Sequence, residues 1–428
     1  MSLASIPASL AEPMDQRPHY VRSVTEMGQT QSIVAHEDIY ASNGMKLMAR
    51  GASVDRSHLD LLSMHKLRAP LDLALSAENQ VDPTQLAFEA NKLLATDPIM
   101  TALAERSGDP LGFRQCLGAL PLPAPIMFRL TVMREMRLAL FEHTLRIALM
   151  TYALAVRMKV PKRDLTDLLV AALCHDLGEM HTDPALLAPG HRITLDERRF
   201  IHVHPVTAYV LLSDVPSISN ATLQAVLQHH ERLDGSGYPA GLSGTSIHAF
   251  ARILCVAEVA EGLVRRGDPR RVDVLLRLNH QRFDAEVTHA LRDLLLIGHR
   301  PSDTHAASLD PTVQLKQFER LFADSPGLIE QLEARPGGAR EVAFIRDRVS
   351  MLRLLVHNSG MSPEYHDALI DMIHEDPEVA SELAATMDEL KWLMLDIANE
   401  IERRVAKVDD EADAVVDELL ALLRSPRS

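Results

Sequence analysis

Between positions 143 and 258 the chain carries a series of side chains able to bind metal. They are His143, the adjacent His175-Asp176, His204, the adjacent His229-His230, and Glu258. Imidazole and carboxylate together suit iron, manganese, zinc or nickel. Successive residues of a helix point about 100° apart. If both act, His229 and His230 reach two different things, either two metal ions or one ion and a substrate phosphate; otherwise they are a polar helix end running into a turn. Asp176 has two carboxylate oxygens and can bridge a pair of ions. Two ions a few ångströms apart polarise a phosphodiester and make hydroxide from water at neutral pH.

A single histidine says little in a chain that has twenty. His181, His191, His202 and His248 lie in the same region and receive no role. The adjacent pairs carry more weight. Each stands at the end of a predicted helix with glycine following, as His175-Asp176-Leu177-Gly178 and as His229-His230 ahead of Gly235-Ser236-Gly237-Tyr238-Pro239.

Such side chains meet only if helices aim them at one point, as in helical dimetal proteins. From Phe128 to about Ile297 the apolar spacing is helical. One long helix is predicted from near Thr131 until Pro161 stops it. A second covers 164–176 and is capped by Gly178. Thr194-x-x-Glu197 is a capping box opening a third, and Pro205 suits the first turn of a fourth. Residues 222–230 and 249–264 supply two more.

Around this core the expected organisation is a flexible tail (1–30), a small β-containing module with helices (31–127), the metal-binding domain (128–300) and a helical C-terminal domain (301–428). Asn43-Gly44 predicts a hairpin in the module, with helices at 57–66 and 84–106. The Pro121–Pro125 stretch marks its end, and 301–308 reads as a linker. Leu383, Met387, Leu390, Met394, Ile397 and Ile401 follow a 4-3-4-3-4 spacing. That is a short heptad seam compatible with a homodimer through the C-terminal helices. The simpler reading is an amphipathic helix packed on its own domain.

Composition narrows the class. Aromatics are only 4% of residues while Leu, Ala and Met abound, which favours helix over sheet. A net charge of -15 argues against binding of nucleic-acid polymers or anionic membranes. Cys116, Cys174 and Cys255 are far apart, as expected of core thiols in a reducing compartment. The N-terminus lacks the pattern of a secretory signal. No run of about 18 apolar residues is found, so no transmembrane helix is expected. The expected location is cytoplasmic and the expected fold class mainly α.

The order His143, His175-Asp176, His204-Pro205, His229-His230-Glu231 and Asp234-Gly235-Ser236-Gly237-Tyr238-Pro239 resembles the HD-GYP family of metal-dependent phosphodiesterases, a branch of the HD phosphohydrolases. The likeness covers about residues 130–297. It implies a helical HD-type bundle with a two- or three-metal centre, often iron, that hydrolyses the bacterial second messenger cyclic di-GMP to pGpG or GMP. Matched position by position, His143, His175, Asp176, His204, His229 and His230 fall on the family's metal ligands. Glu258 falls where the family has aspartate. Gly237, Tyr238 and Pro239 form the signature loop, which in the family packs beside the substrate pocket. The implied cofactors are two divalent ions, iron or manganese first and zinc or nickel next. The implied partner is cyclic di-GMP or a related cyclic dinucleotide.

The sequence also departs from the family. Glu179 stands where the family has a lysine close to the substrate phosphate. Reversing a unit charge about 6 Å away at an effective dielectric near 20 costs on the order of 5 kcal/mol. Asp176 and Glu179 are the expected catalytic positions, and Arg146 and Arg232 the expected phosphate partners in place of the lysine. Glu261 replaces a second aspartate, Ala139 stands where a further ligating glutamate is common, and Arg265–Arg271 replaces a conserved basic run. Two metals are therefore expected rather than three. The same departures support a second reading, a weakened or inactive module that binds metal or nucleotide and signals through its flanking domains.

Overall fold

A sequence rich in Leu, Ala and Met and poor in aromatics folds into a mainly α architecture with four short strands among the described residues. The computed structural model describes residues 18–187, 191, 194–265, 272, 276, 281–295, 311–334, 339–375, 377–405 and 410–424.

Helix α1 (Pro18–Met27) buries Tyr20, Val24 and Met27. These residues are spaced i, i+4, i+7 and so share one face. Residues 18–27 are thus not part of a tail; their polar composition conceals a one-sided apolar stripe. Residues 1–17 lie outside the described residues. Strands β1 (Ile33–Ala35), β2 (Ile39–Tyr40), β3 (Lys46–Met48) and β4 (Leu75–Ala77) pair antiparallel as β1 with β4 and β2 with β3. The β2–β3 turn is the predicted Asn-Gly turn. Gly44 has φ +86° and the Asn43 side chain accepts from the Met45 amide at 3.0 Å. After α2 (Leu59–Met64), helices α3 (Pro83–Thr96) and α4 (Pro98–Arg106) start alike. Asp82 and Asp97 accept from free first-turn amides, and proline takes the first position. Helix α5 (Gly112–Gly118) completes this part.

The helix predicted from Thr131 to Pro161 is two helices, α6 (Ala124–Met136) and α7 (Leu138–Arg157). The break is at Arg137, with φ -144° and ψ 64°. Its guanidinium donates to the carbonyls of Glu179 and Thr182 at 2.9 and 2.6 Å, which offsets the lost helical continuity. Helix α7 reaches the length and hydropathy that could span a membrane, contrary to expectation. Its apolar positions, among them Leu145, Ile147, Leu149 and Leu154, are core. Then follow α8 (Lys162–Cys174), α9 (Leu195–His202), α10 (His204–Ser213), α11 (Asn220–Gln228), α12 (Ala249–Val264) and α13 (Ala285–Leu295). The capping box at Thr194 and Glu197 forms as predicted, and Pro205 lies in the first turn of α10. Helix α7 packs on α8 and α12, while α11 packs on α8, α10 and α12.

Residues on both sides of Pro121–Pro125 belong to one compact unit. A buried ion pair helps hold them together. Arg129 of α6 meets Asp72, both side chains are 2% exposed, and Arg129 also donates to the Leu211 carbonyl of α10 at 2.9 Å. A second unit contains α14 (Pro311–Glu333), α15 (Ala339–Asn358), α16 (His366–Glu375), α17 (Pro377–Arg404) and α18 (Asp410–Arg424). Its core includes Phe318, Leu321, Val349, Leu352, Met387, Leu390, Met394, Ile397 and Ile401, with Leu383 packed against it. The heptad seam is therefore used inside this unit, which removes the surface that a dimer through these residues would need. Residues 266–271 and the 301–308 linker lie outside the described residues.

Removing one partner of a buried ion pair strands the other charge. Asp72→Ala should cost about 3–5 kcal/mol in chemical denaturation, and the double change Asp72→Leu with Arg129→Met should recover most of that loss.

Candidate metal centre

Three helix ends and two helix faces bring the ligand-type side chains together. Helix α8 stops at Cys174, and His175 is its capping residue. Asp176 follows, then a 3-10 turn, Leu177–His181. Gly178 is inside that turn and is not the helix cap. Its role is steric, because a Cβ there would lie 2.0 Å from the His204 carbonyl oxygen. Glycine thus lets the turn after Asp176 press against the start of α10, where His204 sits. Helix α11 ends at Gln228, which leaves His229 and His230 at its mouth. Helix α7 supplies His143, and α12 supplies Glu258.

Asp176 is shared by two clusters, a first of His143–His175–Asp176–Glu258 and a second of Asp176–His204–His229–His230. Its oxygens divide between them. Oδ1 lies 3.2 Å from His204 Nε2 and 3.7 Å from His229 Nε2. Oδ2 lies 3.1 Å from His175 Nε2 and 3.5 Å from His143 Nε2. Glu258 Oε2 completes the first cluster, 3.2 Å from His143 Nε2 and 3.3 Å from His175 Nε2. The extra methylene of glutamate is thus accommodated. The adjacent imidazoles of His229 and His230, with ring centroids 4.2 Å apart, both belong to the second cluster rather than to one each.

The imidazoles are held in one tautomer. His175, His204 and His229 each donate Nδ1–H to the carbonyl three residues earlier, at 2.8, 2.8 and 2.7 Å. His143 donates Nδ1–H to Glu261 Oε2 at 3.0 Å. Every Nε2 is then a lone pair aimed inward, the usual preparation for a metal. Two of these lone pairs, on His204 and His229, face each other at 3.2 Å. Neutral rings repel in that geometry unless a cation lies between them. His175 Nε2 and Glu258 Oε2 are buried without a hydrogen-bond partner. An orphaned imidazole nitrogen beside an orphaned carboxylate oxygen fits a divalent ion.

The electrostatics agree. Burial opposes charge on His175, yet Asp176 and Glu258 push it up to about 10. Burial likewise opposes charge on His143, and Glu258 with Asp176 and Glu261 raises it well above the usual value. Burial also works against ionised Asp176 and Glu258, but the surrounding histidines hold both well below the carboxylate range. The first cluster thus demands positive charge, which protons or metal ions supply in competition. In the second, burial and neighbouring histidines hold His229 and His230 below the usual imidazole range, so these rings stay unprotonated.

Residues 132–287 match the HD domain family. The chain is 32% identical over 124 residues to a cyclic di-GMP phosphodiesterase of Pseudomonas aeruginosa, covering 29% of this chain and 30% of that protein. It is 39% identical over 136 residues to a cyclic di-GMP phosphodiesterase response regulator of Xanthomonas campestris pv. campestris, covering 25% and 35%. It is 28% identical over 183 residues to 3'3'-cGAMP-specific phosphodiesterase 1 of Vibrio cholerae, covering 41% and 42%. Residues 132–287 are thus an HD domain of the HD-GYP type. The chain's match spans between 30% and 42% of the length of these relatives.

Within the HD-GYP domain the signature loop is built onto the histidine pair. A Cβ on Gly237 would lie 2.4 Å from the His230 carbonyl oxygen and 2.5 Å from the Arg232 nitrogen, so only glycine fits there. Tyr238 donates its amide to the His230 carbonyl at 3.2 Å and stacks on the His230 ring at 4.6 Å. Pro239 follows. Buried Glu231 accepts from the amides of Ala240 and Leu242 at 2.7 and 2.9 Å and so fastens the far side of the loop.

The two arginines expected at the phosphate are placed differently. Arg232 donates to Cys255 Sγ at 2.6 Å and lies over the Phe283 ring, so it packs the domain interior behind the loop. Arg146 is one helical turn beyond His143, paired with Asp97 at 3.3 Å and more loosely with Glu142. Glu179 lies half-buried in the 3-10 turn that follows Asp176. Burial first, and Asp176 second, push its carboxyl up to about 7. Glu261 was not assigned a role from sequence. Its i, i+3 spacing from Glu258 was the available signal, since it puts both carboxylates on one face of α12, where they grip the two nitrogens of His143.

Asp176→Ala should remove ions from both clusters, and Glu258→Ala from the first alone. Elemental analysis of purified protein should show metal falling from about two equivalents to near none and to about one, respectively. Equal metal content in the two variants would contradict a shared Asp176.

Proposed function

We propose that the chain is a metal-dependent phosphodiesterase that hydrolyses cyclic di-GMP to pGpG or GMP. The observation that carries this reading is the divided carboxylate of Asp176, one oxygen facing each histidine cluster. His143, His175 and Glu258 would hold one ion, His204, His229 and His230 the other, and Asp176 both. Iron and manganese suit this mixed nitrogen and oxygen donor set. Bound there, two divalent ions supply Lewis acidity toward a phosphodiester and lower the pKa of water. The protein's part is placement. Backbone carbonyls and Glu261 fix the imidazole tautomers, and His175, Asp176, His204 and His229 are buried, while His143 and Glu258 stay partly open to solvent.

A second reading is supported by particular residues. Glu179 stands in the turn after Asp176 where the family has lysine, and Arg232 is occupied by Cys255 and Phe283. On this reading the domain keeps its metals, binds a cyclic dinucleotide and signals without turnover. Turnover of cyclic di-GMP by anaerobically purified protein loaded with manganese or iron separates the two. Product supports the enzyme; about two metals per chain with binding but no product supports the signalling module. 3'3'-cGAMP assayed in parallel tests the choice among cyclic dinucleotides.

The charge at position 179 provides a further check. Glu179→Lys should tighten cyclic di-GMP binding by about tenfold or more, read by calorimetry at constant metal loading. Unchanged or weaker binding would give Glu179 a role of its own at the centre.

A further inference from the structure

His202 lies outside both metal clusters, yet it closes a ring of contacts around the second. Its imidazole stacks on Tyr238 with centroids 4.0 Å apart and planes 6° from parallel. The other face of Tyr238 stacks on His230 at 4.6 Å and 23°. The signature tyrosine is therefore gripped between two imidazoles, one a metal-ligand candidate and the other not. His202 is the last residue of α9 and His204 the first of α10, with Val203 between them. One turn of chain thus sends one histidine to Asp176 and the other to the outer face of Tyr238. His204 and His230 meet edge to face at 5.0 Å, which completes the circuit His204, His202, Tyr238, His230.

We propose that His202 is a positioning residue for the second half-site: by pinning Tyr238 against His230, it holds His230 and His204 at the separation one divalent ion requires. This inference rests on the metal-centre reading given above. The first half-site draws on α7, the end of α8 and α12, none of which carries His202 or Tyr238, so its ion should be indifferent to the stack. A flat aromatic ring at 202 can keep the stack, because ring-on-ring packing needs a planar face and no particular nitrogen.

The test is titration of metal-free full-length protein with manganese, following binding by equilibrium dialysis and elemental analysis. Wild type should bind two ions. His202→Ala should keep one at wild-type affinity and bind the second about tenfold more weakly, while His202→Phe should restore the second. Tyr238→Ala should weaken the same ion, and the His202→Ala/Tyr238→Ala double variant should be no worse than Tyr238→Ala alone, since both act through one contact. Two ions at unchanged affinity in His202→Ala would overturn the proposal. So would equal weakening of both ions, or additive losses in the double variant. Should His202→Ala not fold, His202→Phe against Tyr238→Ala makes the same comparison, and loss of the second ion in His202→Phe is the overturning result. Wild type binding no metal would instead sink the metal-centre reading, leaving the two failures distinct.

Discussion

The centre depends on one carboxylate being divided between two clusters. For Asp176 to face His204 and His229 with one oxygen and His143 and His175 with the other, α7, α8, α10, α11 and α12 must all end or cross at one point. The surrounding details serve that meeting. Gly178 lacks a side chain so that the turn after Asp176 can touch the start of α10. Arg137 breaks a helix and clasps the carbonyls of that turn. The stack of Tyr20 on His181, with centroids 4.8 Å apart, brings α1 against the same turn. The N-terminal module is thus a buttress of the metal centre, and its buried Arg129–Asp72 pair joins the two parts.

The ligand set was legible because it is written in adjacent pairs at helix ends, and helix ends are signalled by local chemistry. The capping box at Thr194, the proline after His204 and the Asn-Gly turn at Asn43 all depend on neighbours in sequence, and each forms. What sequence could not show depends on neighbours in space. Arg137 looks like a helical arginine until the carbonyls of Glu179 and Thr182 come within reach. Gly178 looks like a helix cap until His204 arrives beside it. Arg232, three residues before Gly235, looks available from sequence until Cys255 and Phe283 enclose it. The heptad seam on α17 has the right spacing for a partner chain, but α14 and α15 contribute to the same core and cover it first.

The opening pair, His229 and His230, shows how a local rule can be overridden. Residues of a continuing helix would point about 100° apart, yet the two rings lie with centroids 4.2 Å apart. His229 already lies beyond the last residue of α11 and the chain turns there. Both rings reach the second cluster, and the signature loop folds back over His230. The adjacent histidines and the glycine-rich loop are therefore one device: the first supplies ligands, and the second holds one of them in place.

The departures from the family concern charge more than shape. Asp176, Glu179, Glu258 and Glu261 place four carboxylates around the centre, and the histidines there are neutral when they bind metal. Two divalent ions would balance four negative charges. With lysine at 179 the same pair of ions would leave a surplus of about two positive charges, before counting Arg137, which is common to both cases. A phosphodiester is drawn by that surplus, whereas the ions are drawn by the carboxylates. Glutamate at 179 therefore favours metal retention and weakens the pull on an anionic substrate. As long as Glu179 keeps a proton, which burial and Asp176 encourage, part of the surplus returns; ions bound beside it oppose that proton. The cost of the substitution thus falls on attraction of an anionic ligand and not on assembly of the site, so an intact ligand set is compatible with a changed charge beside it.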